Sequence, residues 1–471
     1  MPPRAKPRIP IVAALVAVGG LPAPAAVFAG GGPPPSLSAS AAIRAMTLDE
    51  ALAHARSHHP AVESALARVA AVAADARVPR AQWLPAIGAT AQAFEATANN
   101  TTAAYIGVRS VDIPRIGGTR VTSPGDWTPY LSTLAAVGAQ QEVFDFGRIA
   151  AQTTFLDLVS QAESHHADAE RLRVNLLVKE AYYAVLGARA IARAADEARQ
   201  RAQAHREMAA AEVKSGLHPP IELTRAEAEL ARFEVGTLRA RGSLRSAQAV
   251  FAAAVGVDEA LLDAGGEAGP VRPLPTLGQM TELAATRDPV VREARARVDA
   301  ADARSRAISA ETRPDLALTA TFSERGGAAP PSSGPLADGV PTTPNWDVGL
   351  VLRWPLFDAV VAARGRAAAA RAEGARADLA VALQQQVAGL QQATVALEIA
   401  LAALSSLQRA VEASHANYDQ ADARFKAGLG TSLEVADAEA VRTDAEIQLA
   451  VGQFEAHRSR AIVARLIGED P

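Results

Sequence analysis

The sequence predicts a mainly α-helical chain with a small membrane-type β portion, built from two copies of a helix–strand–strand–helix unit. Three observations predict it: the chain repeats itself, each copy holds a run of over sixty residues with no proline, and alternating segments near tryptophans lie between the helical ones. Residues 47–256 and 276–468 can be laid over one another. Leu48 matches Leu277, Pro60 matches Pro289 and Pro85 matches Pro314, all 229 positions apart. Phe144-Asp145 then matches Phe357-Asp358 at 213, and Lys214 to Leu217 matches Lys426 to Leu429 at 212. A duplication whose offset shifts mainly once implies two equivalent units that differ in a loop.

Composition sets the outer limits. With 471 residues, core size is no constraint. The absence of cysteine removes disulfides, thiolate metal sites, a cysteine nucleophile and a lipid-anchored N-terminal cysteine. Aromatics at 4% with abundant alanine and arginine suit long, closely approaching helices. A net charge of −4 offers no basic face for nucleic acid.

Residues 1–29 have the three parts of a secretory signal: Arg4, Lys6 and Arg8, then apolar Ile11 to Val18, then Val27-Phe28-Ala29. A flexible segment, 30–46, is expected to follow. Thr47-Leu-Asp-Glu50 opens a short helix in capping-box form. Pro60 starts a helix to about Gln82, stopped by Pro85. Strands are expected at about 86–94 and 131–144, around a loop rich in Asn, Thr, Gly and Pro. Asp145 is a candidate N-cap. Arg148 to Lys214 contains no proline and one glycine, Gly187, so one helix on the order of 100 Å is expected. Residues 216–220 break it, and a helix returns from Ile221 to about Val255. After a linker at 257–275, residues 276–468 run through the same order, with strands at about 315–325 and 346–357 and a tip at 428–431.

The second copy's strands are the clearer pair. Leu316, Leu318, Ala320 and Phe322 alternate with Ala317, Thr319, Thr321 and Ser323, and Trp346 to Trp354 alternate in the same way. Period two with one apolar and one small or polar face suits lipid on one side and water on the other. Trp83, Trp127, Trp346 and Trp354 all fall at or near strand ends, where membrane barrels carry interfacial aromatics. The long helices carry a 3.5-residue repeat: Leu383, Val387, Leu390, Thr394, Leu397, Leu401, Leu404, Gln408 and Val411, with Val174, Leu177, Ala181, Ala184, Ala188, Ile191, Ala195 and Ala198 in the first copy. That period predicts coiled-coil packing.

Four strands cannot close a membrane barrel, and open edges are excluded from lipid, so other copies must complete it. Three copies would supply twelve strands and a helical tube. On the duplication, the paired prolines, Val-Phe-Asp-Phe-Gly-Arg (143–148), Trp-Pro-Leu-Phe-Asp (354–358) and the Lys-Ser-Gly-Leu and Lys-Ala-Gly-Leu turns, the chain resembles the TolC-type outer membrane efflux protein family. The resemblance covers essentially all of the sequence after the signal. It implies a homotrimer in outer membrane lipid, with a twelve-stranded barrel and a long periplasmic coiled-coil tunnel. Such a duct passively conducts substrates that an inner membrane pump delivers through a periplasmic adaptor.

The resemblance also places functional residues. Gly216-Leu217 and Gly428-Leu429 match the tips that dock the adaptor, although glycine there also serves the turn itself. Glu434 and Asp437, at i,i+3, match acidic residues lining the narrow tunnel entrance, where threefold symmetry would make each a ring favouring cations. A solvated acidic face paired with Arg225 and Arg442 is the plainer alternative. A tyrosine and arginine that brace the tip in some members are replaced here by Phe425 and Gly430. His54 and His58 at i,i+4, with the pairs His58-His59 and His165-His166, suggest metal on their own, but no H-E-x-x-H, cysteine or clustered carboxylate accompanies them, and no cofactor or enzymatic motif is present. An exported periplasmic adaptor or a structural coiled coil is the alternative function, the first expected to show one hairpin beside compact β domains.

Overall fold

The computed structural model describes residues 43–97, 106–108, 111–113, 129–271, 273, 275–327 and 342–469. The expected signal peptide, Trp127 and most of both strand-connecting loops lie outside the described residues. The first repeat comprises β1 (Ala45–Met46), α1 (Leu48–His58), α2 (Pro60–Asp75), α3 (Val78–Ala81), β2 (Ala86–Thr97), β3 (Ile106–Val108), β4 (Val111–Ile113), β5 (Pro129–Phe144), α4 (Arg148–Lys214) and α5 (Ile221–Val255). After β6 (Asp263–Ala264) the second comprises α6 (Leu277–Arg287), α7 (Pro289–Ala310), β7 (Asp315–Gly327), β8 (Thr342–Arg353), α8 (Ala359–Lys426) and α9 (Ser432–Leu466).

Local chemistry sets these boundaries in parallel. Thr47 and Thr276 each close a capping box, with Glu50 and Gln279. Pro60 and Pro289 open the next helices, where a missing N–H costs nothing, and the side chains of His59 and Asp288 accept from Ala61 and Val290 N–H. The hairpin helices α4, α5 and α8 end on Gly216, Gly256 and Gly428, and Gly468 closes the turn after α9; all four have positive φ. At all four ends the residue after the glycine donates to a carbonyl five positions back, which satisfies carbonyls the helix leaves open.

Several expectations need correction. The helix expected from Pro60 to Gln82 breaks after Asp75, because Pro79 cannot continue the hydrogen-bond ladder. The second copy has Ile308 there, and α7 runs unbroken to Ala310. The strand placed at 346–357 spans 342–353, and the first loop holds the strands β3 and β4. The segment taken as flexible ends in β1, which pairs in parallel with β6 inside the linker and buries Met46. Both helical seams are rotated from their expected stripes. On α8, Leu390, Thr394 and Leu397 are buried as expected, but Val387, Leu401 and Gln408 are exposed, and Gln386 and Ala393 take part in the buried stripe. On α4, Val178 and Val185 are buried where Leu177 and Ala184 were placed.

The sheet has the order β2-β5-β7-β8, antiparallel throughout, with β2 and β8 at its edges. Its register lines up Ala89, Val137, Phe322 and Trp346 on one row. This sheet is inverted relative to one in water. Phe322, Trp346 and Leu350 are 57%, 73% and 66% exposed, whereas Thr319, Thr321 and Ser323 are 1%, 4% and 4% exposed. A sheet that turns its large apolar side chains outward and its hydroxyls inward suits hydrocarbon around it.

Candidate functional site at the hairpin tips

The long helices place two turns together, 215–220 between α4 and α5, and 427–431 between α8 and α9. At the first, Leu217 N–H donates to Glu212 O at 3.0 Å; at the second, Leu429 N–H donates to Arg424 O at 2.9 Å. Gly216 (φ +80) and Gly428 (φ +68) hold conformations that favour glycine, and the space around both is open. The turn geometry therefore requires these glycines, while the side chains of Leu217 and Leu429 stand exposed, with the residues 75% and 74% accessible.

Directly behind the turns, all four helices share a core of Ala209, Ala226, Ala421, Phe425, Val435 and Ala438. Thr431 caps α9, its side chain accepting from Glu434 N–H. That cap fixes the helix phase. Ser432, Val435, Ala438 and Glu439 face inward, and Glu434 and Asp437 lie together on the exposed face. Glu434 stands 3.5 Å from Arg424 Nε, an exposed pair. Asp437 has no ion pair among the described residues. Of the plainer pairing, Arg225 meets Glu222, the comparable acidic residue of the first copy, and Arg442 meets Glu446, so neither arginine pairs with Glu434 or Asp437.

A buried polar network joins the two hairpins, and sequence reasoning missed most of it. Arg201 on α4 makes a bidentate pair with Glu439 on α9, both bonds at 2.9 Å, and Thr443 also donates to Glu439 at 3.1 Å. Arg201 and Arg442 lie 5.9 and 5.2 Å from the centre of the Tyr418 ring on α8. Burial, then Glu439 and Asp422, push the Tyr418 hydroxyl up to about 12. Burial raises the Glu229 carboxyl, with Asp437 and Glu439 adding to it against Arg232. Nearer the tip, Glu222 accepts from Ser432 N–H at 3.0 Å. His205 Nε2 lies 2.7 Å from Ser432 Oγ, and the His205 ring meets Phe425 edge to face at 4.6 Å. His218 stacks on Phe425 at 5.2 Å. The heptad phase of α4 was the available signal, because Ala198, Ala202, His205 and Ala209 continue its buried stripe at spacings of 4, 3 and 4.

The expected interfacial aromatics are dispersed around the sheet. Trp83 precedes β2 and Trp354 follows β8, both at the end where the helices begin, and Trp346 lies farther along β8. All three are exposed. The His54 and His58 rings, at i,i+4 on α1, stack with their centres 4.7 Å apart.

The family model for outer membrane efflux proteins matches residues 51–257 and 280–469. No curated protein gives a significant sequence match to the chain. Among solved structures, the outer membrane protein VceC from Vibrio cholerae is 20% identical, with a TM-score of 0.68 over 89% of this chain and 96% of that one. The open state of the MtrE outer membrane channel from Neisseria gonorrhoeae is 19% identical, with a TM-score of 0.68 over 92% and 93%. The Campylobacter jejuni CmeC outer membrane channel is 14% identical, with a TM-score of 0.72 over 90% and 85%. Two matched segments that together span most of the sequence coincide with the two structural repeats, and the chain belongs to the outer membrane efflux protein family.

Proposed function

We propose that three copies of this outer membrane efflux protein form a passive exit duct. The β8 edge of one copy pairs with the β2 edge of the next, giving a barrel of twelve strands continued by a periplasmic tube of helices. The signal at 1–29 directs export. Trp83, Trp354 and, across the sheet, Trp346 lie at the lipid interfaces. The inverted sheet carries this reading, because its outward apolar face suits lipid, and lipid excludes the open edges of β2 and β8 unless the barrel is closed by other copies. Trp346 and Trp354 lie about 27 Å apart along the strand direction, and about 20 Å apart in height after a barrel's usual tilt, near the height of a barrel's apolar band. The middle of α8 supports the trimer from a second side, since Val395 and Ile399, one turn apart on the face opposite the buried stripe, are exposed in one chain and need a neighbouring copy to cover them.

The tips, with Gly216, Leu217, Gly428 and Leu429, dock a periplasmic adaptor that links the duct to an inner membrane pump. Glu434 and Asp437 line the entrance as rings of three carboxylates each. Because Arg424 offsets part of the Glu434 charge, Asp437 dominates the field there. Electron microscopy of the detergent-solubilised protein tests the assembly: a threefold particle with a rod on the order of 100 Å projecting from a detergent belt is expected. A particle lacking a belt overturns it. In planar bilayers under a salt gradient, Glu434→Ala with Asp437→Ala is expected to lower cation selectivity, and an unchanged reversal potential sinks the ring assignment.

A further inference from the structure

We propose that His205, wedged between Ser432 and Phe425 where the two hairpins meet, is an acid-released latch that holds the tip of the duct closed-packed at neutral pH. The inference rests on reading these turns as the duct's entrance. His205 comes from α4 in the first hairpin, and its partners Ser432 and Phe425 belong to the second. The site is well built around the neutral ring. Phe425 is fully buried between His205 and His218, and Ser432 is held from the other side by Glu222. The second ring nitrogen of His205, Nδ1, is buried and has no hydrogen-bond partner among the described residues. With Nε2–H assigned as the donor to Ser432 Oγ, a second proton at Nδ1 would place a charge and a new N–H donor where no acceptor waits.

The charged groups around the ring do not rescue that proton. On α4 itself, Arg201 is committed to Glu439 of α9. On α5, Glu222 serves Ser432 N–H and Arg225, while Glu229 stands beside Arg232. On α8, Asp422 is paired with Lys426 at 2.6 Å. In the turn, His218 has Glu212 at 3.6 Å, so a charge on His218 has a counter-ion and a charge at His205 Nδ1 has none in contact. Burial holds His205 below the ordinary histidine value, although Asp422 and Glu222 pull it back upward.

The sign follows from linkage. A histidine whose value is lowered by docking binds more protons when the hairpins part, so docking is strongest above about pH 6.5 and weakens as pH falls below it. Per copy, the undocked-to-docked ratio rises by up to about tenfold per pH unit in that window.

The chain has no cysteine, so Leu217→Cys and Leu429→Cys accept spin labels at the two tips specifically. Electron–electron distances in the full-length solubilised protein then read hairpin separation directly. The expected result is a longer, broader distribution on going from about pH 7.5 to about pH 5.5, abolished by His205→Gln, which keeps a donor for Ser432 and cannot titrate. In Ser432→Ala the long distribution is expected already at neutral pH. A distance that ignores pH, or one that responds equally in His205→Gln, overturns the latch. Bilayer conductance of the same samples decides separately whether the protein is a duct, because the spin-label distance does not depend on a conducting pore.

Discussion

The two repeats share a backbone plan but not an environment. Helix α4 packs against α1, α2, α5, α7 and α9, whereas α8 is covered within the chain mainly by α7 and α9. The first repeat accordingly owns a core with Tyr182, Phe251, Val174, Val178 and Leu262, and the second a smaller one around Leu390, Leu397 and Met280. Their strand-to-helix turns differ too. The first passes through Phe146 and Gly147 at positive φ, with Arg313 donating to Phe146 O at 2.9 Å, and the second relies on Asp358 to cap α8. The lesson is that duplication copies the local signals, such as caps, prolines and terminal glycines, while packing diverges according to what each hairpin meets. The first hairpin is packed more fully by its own chain, although Val235, Leu238 and Val250 of α5 stay exposed, and the second is covered over less of its length.

That contrast can be broken most severely where the hairpins are tied together. Arg201→Met strands the buried Glu439 carboxylate and is expected to cost about 3–5 kcal/mol, seen as a lower thermal midpoint of the solubilised protein. Leu397→Ala opens a cavity inside one chain and is expected to cost about 3 kcal/mol. Ile399→Ala, two residues on and on the opposite, exposed face, is expected to leave the chain's own folding nearly unchanged and to reduce the trimer fraction on native gels. Equal effects of these two substitutions would mean that α8 has no outer partner. Gly468→Ala should cost about 2 kcal/mol and Gly256→Ala about 1, because both adopt positive φ but only Gly468 brings a new Cβ within 2.9–3.1 Å of Arg287. The smallest effect is at the entrance. Asp437→Asn should change the cation-to-anion permeability ratio about two- to threefold, under 1 kcal/mol and more than Glu434→Gln, since only Glu434 has an arginine beside it.

Much of this fold was legible because its boundaries are set by local chemistry. Pro60, Pro289, Gly216 and Gly428 act through their own backbones, and each ends or begins an element where it stands. Pro79 obeys the same rule and was passed over, which merged α2 with α3. The helical seams were legible in period but not in phase. Alanine is small enough to sit on either edge of a buried stripe, so Val387 and Leu401 looked as suitable as Gln386 and Ala393 until neighbouring helices were in place. The acidic face with Glu434 and Asp437 could be read from the i,i+3 spacing after Thr431. The latch could not, because His205 and Ser432 are 227 residues apart and neither forms a recognisable pattern alone.

The pairing of β5 with β7 sets an order of events in biogenesis. Val137 lies opposite Phe322, and the entire first hairpin of α4 and α5 is threaded between them in sequence. Each helical hairpin closes through contacts between neighbouring stretches of chain, which form quickly, whereas the central strand pair must wait for a loop of well over a hundred residues to close. Because the chain is made from its N-terminus, β2 and β5 exist with their outward apolar rows uncovered before β7, their central partner, has been synthesised. The four-stranded sheet is therefore complete only after the second repeat's strands have followed.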